Sequence, residues 1–237
     1  LPMLRNPVVL AHQVATIDQI SEGRIILGIG TARDVPTIRN EFEAAGIPFE
    51  KRIGTMLEQV KLCRALWSGE KVNWNGRWNV KDAELAPKPF SKGGPRIWGG
   101  GGVPAALKRS ARYFDGWFPS GPGNGENWHK SWQQLNDYAK EAGRQKSDII
   151  GAAYVTVAIN NNVPDAEKEL DEYLANYYLR PAELVRNEQY SFAGDKAMVT
   201  AWLNEFIEAG ASHLCIRFTG DNNKSLMDEL AGMREQF

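Results

Sequence analysis

The sequence has few of the residues that build disulfide-rich or membrane-spanning proteins. Only two cysteines occur among 237 residues, which excludes a framework of several disulfides. No apolar run approaches the roughly 20 residues that a transmembrane helix needs. A formal net charge of -1 gives no sign of a nucleic-acid-binding surface or of a surface for acidic membranes. We therefore expect neither nucleic acid nor membrane as a partner.

Patterns of nucleophilic catalysis and of metal binding are also missing. The three histidines are scattered and Cys63 lies far from Cys215, so neither a Ser-His-Asp or Cys-His arrangement nor a metal site is indicated. Both cysteines lie in apolar helix or strand patterns, which predicts buried free thiols in a reducing cytoplasm. The many carboxylates lie on helix faces, where solvated side chains are the ordinary case.

Apolar runs with β-branched residues alternate with helical patterns along the chain. The predicted core strands are 24–30, 96–98, 114–119, 149–159 and 213–218, each followed by at least one helix. Strict alternation with apolar strands predicts a parallel sheet with right-handed crossovers. Such strands fit an open doubly wound sheet or part of an eight-stranded barrel.

Local signals mark several element ends. Asn6-Pro7 predicts the start of a helix that Gly23 stops. Asn75-Gly76 predicts a type I′ hairpin turn. The other predicted segments are a polar turn at 40–46, an amphipathic helix at 52–67 with Ile53 and Met56 inward, irregular chain at 181–189, a helix at 196–209 and a terminal helix at 222–237.

The stretch from Pro95 to Gly121 carries the strongest functional pattern. Strand 96–98 is followed by four glycines, Gly99 to Gly102, and then by Pro104 in the first turn of a helix. Free N–H groups of such a loop, with the positive end of the helix dipole behind them, favour a phosphate. A tight turn packed under a helix is the alternative, since four glycines alone are a weak signal.

A second glycine pair follows the first predicted strand. Gly28-Ile29-Gly30-Thr31 is not the dinucleotide fingerprint, because no third glycine follows at the right offset. Ligands of α/β folds bind at the carboxyl ends of strands, so Gly30 and Thr31 are candidates for a cleft wall, with Arg33 and Asp34 beside them. The alternative is a backbone that only turns closely here.

Short segments spread over nearly the whole chain share a characteristic order and spacing. They include RNP at 5–7, ATIDQISEGR at 15–24, LGIG at 27–30, GR at 76–77, PKP at 87–89, the glycines at 99–102 and DGW at 115–117. Together they resemble the luciferase-like flavin-dependent oxidoreductase family. No single motif is decisive, and it is the order of the segments that carries the resemblance.

The resemblance implies one luciferase-like α/β barrel domain over 1–237, with a β-hairpin excursion near 72–80. The implied fold is a TIM (β/α)8 barrel of the bacterial-luciferase-like type, incomplete, with about five parallel strands and surrounding helices. The first strand matches the fourth of the family, so the chain is expected to lack the three N-terminal strands. Catalytic residues are expected on those strands, and none is assigned here. Exposed sheet edges favour a homodimer or a higher oligomer.

The resemblance also implies FMN as the cofactor, with NAD(P)H as an electron donor, or alternatively the deazaflavin coenzyme F-420. The glycines of the loop would hold the phosphate, Gly30 and Thr31 would lie beside the ring or ribityl chain, and the remaining residues would flank the ring or the substrate. The implied cofactor-binding residues are Gly30, Thr31, Gly99, Gly100, Gly101, Gly102, Trp117, Pro119 and Ser120.

The implied function is that of a monooxygenase-type oxidoreductase, which uses reduced flavin to oxidise or oxygenate a small organic substrate. F-420-dependent hydride transfer is the in-family alternative. A catalytically silent flavin-binding or structural remnant is the alternative from another class. A phosphate-ester isomerase or aldolase on a similar barrel is a weaker rival, because no catalytic lysine or glutamate is found at a strand end.

Overall fold

The computed structural model describes residues 1–220, 227, 228 and 231. The chain divides into two compact units, Leu1–Trp98 and Gly99–Phe237. The predicted terminal helix at 222–237 lies mostly outside the described residues. Among the helices of the described chain, none combines the length and apolar character needed to cross a bilayer.

The first unit consists of two long helices, a shorter helix, a hairpin and two further strands. Trp67 fixes the two long helices against each other, since its indole N–H donates to the Ala11 carbonyl at 3.0 Å. The elements are α1 (Pro7–Ile20), β1 (Ile26–Ile29), α2 (Pro36–Ala44), α3 (Arg52–Trp67), β2 (Val72–Asn75), β3 (Asn79–Ala83) and β4 (Arg96–Gly99), with 3-10 turns at Pro2–Leu4 and Phe49–Lys51. Strand β1 is hydrogen-bonded to β4, whose last residue opens the second unit.

Several predictions for the first unit are confirmed. The Asn6 side chain accepts hydrogen bonds from the amides of Val8 and Val9, so α1 begins where the N-cap signal placed it. Helix α3 has the predicted bounds, and Met56 is buried on its inner face. Ile53, however, is 37% exposed and does not point inward as predicted.

Two other predictions for this unit are wrong. The predicted polar turn at 40–46 is largely helix α2, which Pro36 starts and which Phe42 anchors by an edge-on ring contact with Phe49 at 5.2 Å. The continuous apolar run of β1 predicts a strand covered on both faces, yet Ile26 is 40% exposed while Ile29 is buried. The described residues therefore cover one face of β1 only.

The hairpin turn also differs from its prediction. Asn75 pairs with Asn79, so the loop is Gly76 to Trp78 and not a two-residue type I′ turn. The physical reason is Glu58 of α3, whose carboxylate accepts the Arg77 amide at 2.7 Å and pairs with the Arg77 guanidinium. A contact from another element thus overrides the local turn preference.

The docking of this hairpin should weaken in acid. Burial alone raises the pKa of Glu58, but hydrogen bonds from Arg77 and Trp74 outweigh it and hold the pKa below its ordinary value of 4.5. Because the pKa of Glu58 is lower in the folded than in the unfolded protein, its ionised carboxylate stabilises the fold above pH 4.5. This contribution is lost as the pH falls through the folded-state pKa of Glu58. We expect Glu58→Gln to cost about 1 kcal/mol of unfolding free energy at neutral pH.

The measurement is urea unfolding of the wild type and of Glu58→Gln between about pH 7 and about pH 3. The difference between the two proteins should shrink towards zero at the acid end. A difference that stays constant with pH would contradict the assigned role of the carboxylate.

The second unit is organised around the long strand β6. Its elements are α4 (Pro104–Tyr113), β5 (Gly116–Trp117), α5 (Gly125–Glu141), β6 (Ile150–Ile159), α6 (Val163–Tyr178), α7 (Ala182–Arg186), β7 (Ser191–Gly194), α8 (Lys196–Glu208) and β8 (His213–Phe218), with a 3-10 turn at Lys146–Asp148. Strand β6 pairs in parallel with β5, β7 and β8. The predicted parallel pairing is therefore confirmed in this unit.

An aromatic core fills the space between β6 and the helices α5 and α8. Trp117 stacks on Trp132 with ring centroids 6.1 Å apart, and Trp128 lies 5.4 Å from Trp117. All three indoles are buried. The many aromatic residues of the sequence fit an apolar cleft as well as a core, and these three tryptophans belong to the core.

Three differences from the predictions remain in this unit. Strand β7 was missed, because Ser191–Gly194 is short and contains little β-branched sequence. The sequence pattern predicts a helix from about Trp128 to Ala142, but helix α5 begins already at Gly125, because the Asn124 side chain caps it. Cys215 is exposed and not buried as predicted, whereas Cys63 is buried and desolvation raises the pKa of its thiol to about 12.

Candidate functional site

The glycine loop lies between the end of β4 and the start of α4. The Gly99 carbonyl accepts the Phe118 amide at 2.9 Å, which fixes where the loop begins. Beyond it, and within the described part of the chain, the amides of Gly100 to Val103 donate to no acceptor. The N-cap residue Val103 has no side chain that can bond to the first turn of α4. Unpaired amides at a helix start form a site suited to an anion.

The four glycines do not have equal roles. A Cβ atom on Gly99 would lie 2.2 Å from the Phe114 ring, and one on Gly101 would lie 2.9 Å from Ala106 Cβ. Gly101 also has a φ of +96°, which L side chains rarely adopt. A Cβ on Gly100 would approach a backbone oxygen, whereas one on Gly102 would meet nothing within 4 Å. Gly102 is thus the open position of the loop.

Trp117 holds this loop from the core. Its indole N–H donates to the Gly101 carbonyl at 2.9 Å, and its side chain is fully buried. The resemblance placed Trp117 at the wall of the ring or substrate cleft. In the structure its side chain has no exposed surface, so we assign it to supporting the loop.

A cavity of about 330 Å³ opens beside Gly102. Its lining residues come from the loop, from the segment after β5, from α5 and from the chain before β7. They are Gly102, Val103, Pro119, Ser120, Gly121, Pro122, Asn127, Ser131, Glu188 and Tyr190. The cavity thereby brings together Gly102, Pro119 and Ser120 of the predicted residues.

The cavity carries little charge. No lysine, arginine or histidine is among its lining residues, all of which belong to the described chain. Its one carboxylate, Glu188, forms a bidentate ion pair with Arg180 at 2.8 and 3.0 Å. The Tyr190 hydroxyl is protonated at neutral pH, as tyrosines ordinarily are, and burial raises its pKa further. An anion here would be bound by amides and neutral hydroxyls.

Sequence reasoning missed Glu188 and Tyr190. Both lie in or just after the segment predicted to be irregular, and neither belongs to a recognisable motif. They reach the cavity because the Tyr190 carbonyl accepts the Thr156 amide at 2.9 Å, which aligns this segment with β6. A prediction of strand β7 next to β6 would have been needed to place Glu188 and Tyr190 near the cavity.

The other candidates lie elsewhere. Gly30 and Thr31 follow β1 in the first unit, where the Thr31 carbonyl accepts a hydrogen bond from Nε of Arg52 at 3.0 Å. Contact of these two residues with the coenzyme ring stays a prediction. Asp34 is engaged by Arg39 in an exposed pair, and this hydrogen bond lowers the pKa of Asp34. No group of three or more potential metal-binding side chains occurs in the described residues.

Arg217 on β8 occupies an aromatic environment of its own. Its Nη2 donates to the hydroxyls of Thr156 at 2.9 Å and Tyr178 at 3.1 Å. Rings of Tyr154, Tyr173, Tyr177 and Tyr178 lie within 5.4 Å of its guanidinium carbon. From the sequence, Arg217 after the last strand could face the site or form a structural ion pair. Among the described residues it has no carboxylate partner, and its guanidinium makes cation–π contacts instead.

The comparisons with known proteins agree with this arrangement. The luciferase-like monooxygenase family matches residues 1–214, and the chain belongs to that family. It is 28% identical to an F420-dependent glucose-6-phosphate dehydrogenase of Mycolicibacterium fortuitum over 78% of this chain and 54% of that protein. It is 30% identical to a phthiodiolone/phenolphthiodiolone dimycocerosates ketoreductase of Mycobacterium sp. (strain JLS) over 72% of this chain and 44% of that protein.

The chain thus spans about half the length of these two curated relatives. Among solved structures it is similar to an F420-dependent secondary alcohol dehydrogenase in complex with an F420-acetone adduct (TM-score 0.75, 21% identity, 92% of this chain and 71% of that one). It is also similar to a riboflavin lyase with modified FMN (TM-score 0.78, 14% identity, 99% and 68%). At these identities the likeness concerns the fold, and it confirms the predicted class of an incomplete luciferase-like α/β barrel.

Proposed function

We propose that this chain is the coenzyme-phosphate-binding part of an oxidoreductase, and that it holds FMN through the glycine loop. The observation that carries the proposal is the row of unpaired amides from Gly100 to Val103 at the start of α4, beside the cavity. A phosphate fits this place chemically, because amide donors and a helix dipole stabilise an anion without a lysine or a metal ion.

When bound, FMN supplies hydride transfer or reaction with oxygen, which no protein side chain performs. The chain's own share is to bind and orient. Gly102 leaves space next to the amides, Trp117 fixes the loop, and Ser120 adds a hydroxyl at the cavity wall. We assign no proton-transfer residue, since the one carboxylate of the cavity is committed to Arg180. The proposed substrate is a small organic molecule.

F-420 is the second candidate coenzyme. It is supported by the relatives, since the dehydrogenase of Mycolicibacterium fortuitum and the solved alcohol dehydrogenase are both named as F420-dependent. Both coenzymes carry a phosphate, so the loop suits either of them. Hydride transfer without oxygen would then be the chemistry.

Binding titrations separate these functions. The purified chain is titrated with FMN, with riboflavin and with F-420, and coenzyme fluorescence is followed. We expect FMN to bind roughly tenfold or more tightly than riboflavin, which lacks the phosphate. NAD(P)H is then added to the FMN complex, and bleaching of the yellow colour would support NAD(P)H as the electron donor.

Each other outcome has a meaning. Binding of F-420 with no binding of FMN would support the second candidate. Equal affinity for FMN and riboflavin would contradict the phosphate role of the loop. A chain that binds none of the three would be a silent remnant, and the proposed function would be wrong.

A further inference from the structure

Tyr190 is a buried residue whose ring is firmly held. Its side chain is only 3% exposed, and the ring packs edge-on against Phe206 with centroids 5.1 Å apart. The backbone carbonyl of Tyr190 accepts the Thr156 amide, which ties it to the central strand β6. The ring therefore has a fixed position in the core.

The hydroxyl at the end of this ring reaches the cavity wall. A Cβ atom on Gly121 would lie 2.8 Å from the Tyr190 oxygen, so the hydroxyl lies next to this glycine. Both residues line the cavity that Gly102 opens into. In the described part of the chain this hydroxyl makes no hydrogen bond. Its oxygen is not among the fully buried polar atoms that lack a partner, so it is accessible from the cavity.

Packing alone does not account for that hydroxyl. Phenylalanine would fill the same space in the core, so the packing of the ring does not require the oxygen. The hydroxyl lies at the cavity wall, where it can form a hydrogen bond with a group that enters the cavity. A tyrosine hydroxyl is protonated at neutral pH, and burial raises the pKa of Tyr190 further, so the group is available as a donor. It therefore suits an acceptor that enters the cavity.

We propose that Tyr190 donates a hydrogen bond to a phosphate oxygen of the coenzyme held by the glycine loop. This inference rests on the proposed function and adds a residue to it. With Tyr190, the phosphate is recognised by amides and neutral donors, and Ser120, Asn127 and Ser131 line the same cavity. Because no cationic side chain lines it, the affinity for FMN should depend only weakly on salt.

The test compares Tyr190→Phe with the wild type in titrations with FMN and with riboflavin. The variant keeps the ring and loses the hydroxyl. We expect its dissociation constant for FMN to rise roughly tenfold, while that for riboflavin stays unchanged. Tyr138→Phe is the matched control, because the Tyr138 hydroxyl lies on α5, where it accepts a hydrogen bond from Gln134 at 3.3 Å. This control should bind both ligands as the wild type does.

A second variant tests the same contact without changing Tyr190. Gly121→Ala places a methyl group against the Tyr190 hydroxyl and should weaken FMN binding to a similar degree. In the double variant the two effects should not add, since both act on one hydrogen bond. Additive effects would overturn the inference.

The outcomes distinguish this inference from the proposed function. If the wild type prefers FMN over riboflavin but Tyr190→Phe binds FMN equally well, the role of Tyr190 is wrong and the function stands. An equal loss of FMN and riboflavin binding would show a structural role and would also overturn the inference. If the wild type binds neither FMN nor F-420, both proposals fail. If it binds F-420 alone, the same variants are compared with F-420 and a phosphate-free deazaflavin.

Discussion

Replacing Gly102 by valine should leave the fold intact and weaken FMN binding roughly a hundredfold, because about two charge-assisted hydrogen bonds are lost. A Cβ atom at this position would meet nothing within 4 Å, and the residue does not have a positive φ. The fold therefore tolerates the side chain. The same side chain would occupy the space next to the unpaired amides, where the phosphate is expected.

Two control variants make this result specific. Ala105→Val adds comparable bulk to an exposed position of α4 that does not line the cavity, and it should bind FMN as the wild type does. Gly101→Val should instead lower stability, because this residue has a φ of +96° and is close to Ala106. Thermal unfolding and FMN titration are measured for all three variants. Unchanged affinity in a folded Gly102→Val protein would refute the phosphate loop.

Adding one methyl group at Gly125 should destabilise the protein by about 3 kcal/mol, near the upper end of what overpacking costs. The new Cβ would lie 2.4 Å from the backbone carbon of Glu205 and 2.5 Å from its oxygen. Backbone atoms cannot rotate away as a flexible side chain can. Helices α5 and α8, which contact each other closely at this point, would have to separate. Stability would fall by a large fraction of the roughly 5–15 kcal/mol of a typical domain.

Urea unfolding of Gly125→Ala measures this loss. The matched control is Gly102→Ala, the same chemical change where the new Cβ meets nothing. That control should unfold within about 1 kcal/mol of the wild type, with a small gain expected from the lower entropy of the unfolded chain. If both variants unfold alike, the close contact between Gly125 of α5 and Glu205 of α8 is not as described.

The elements that sequence patterns predict well are those whose signal is local and long. Helix α3 has sixteen residues of amphipathic sequence, and its predicted bounds are confirmed. Strand β6 has ten residues of nearly unbroken apolar sequence, and it too lies where predicted. Helix α2 was missed because Phe42 is its one buried residue, and the contact that fixes it comes from Phe49. The hairpin turn was wrong because Glu58 holds it from another helix.

The same distinction holds at the candidate site. The glycine loop was predictable because the glycines and the start of the helix follow one another directly in the sequence. The position of Trp117 was not predictable, because an aromatic residue in apolar sequence next to the loop fits a core as well as a cleft. Tyr190 enters the cavity only through the pairing of its segment with β6, a contact between residues distant in sequence.

The hydrogen bond from Trp117 to the Gly101 carbonyl links the loop to three stacked indoles at the centre of the unit. Such an anchor is rigid, because none of these rings can turn without disturbing the packing of its neighbours. The loop is therefore preorganised, and a ligand that reaches it need not first order the backbone. Binding at this loop therefore avoids the loss of conformational entropy that would weaken the affinity of a flexible phosphate-binding loop.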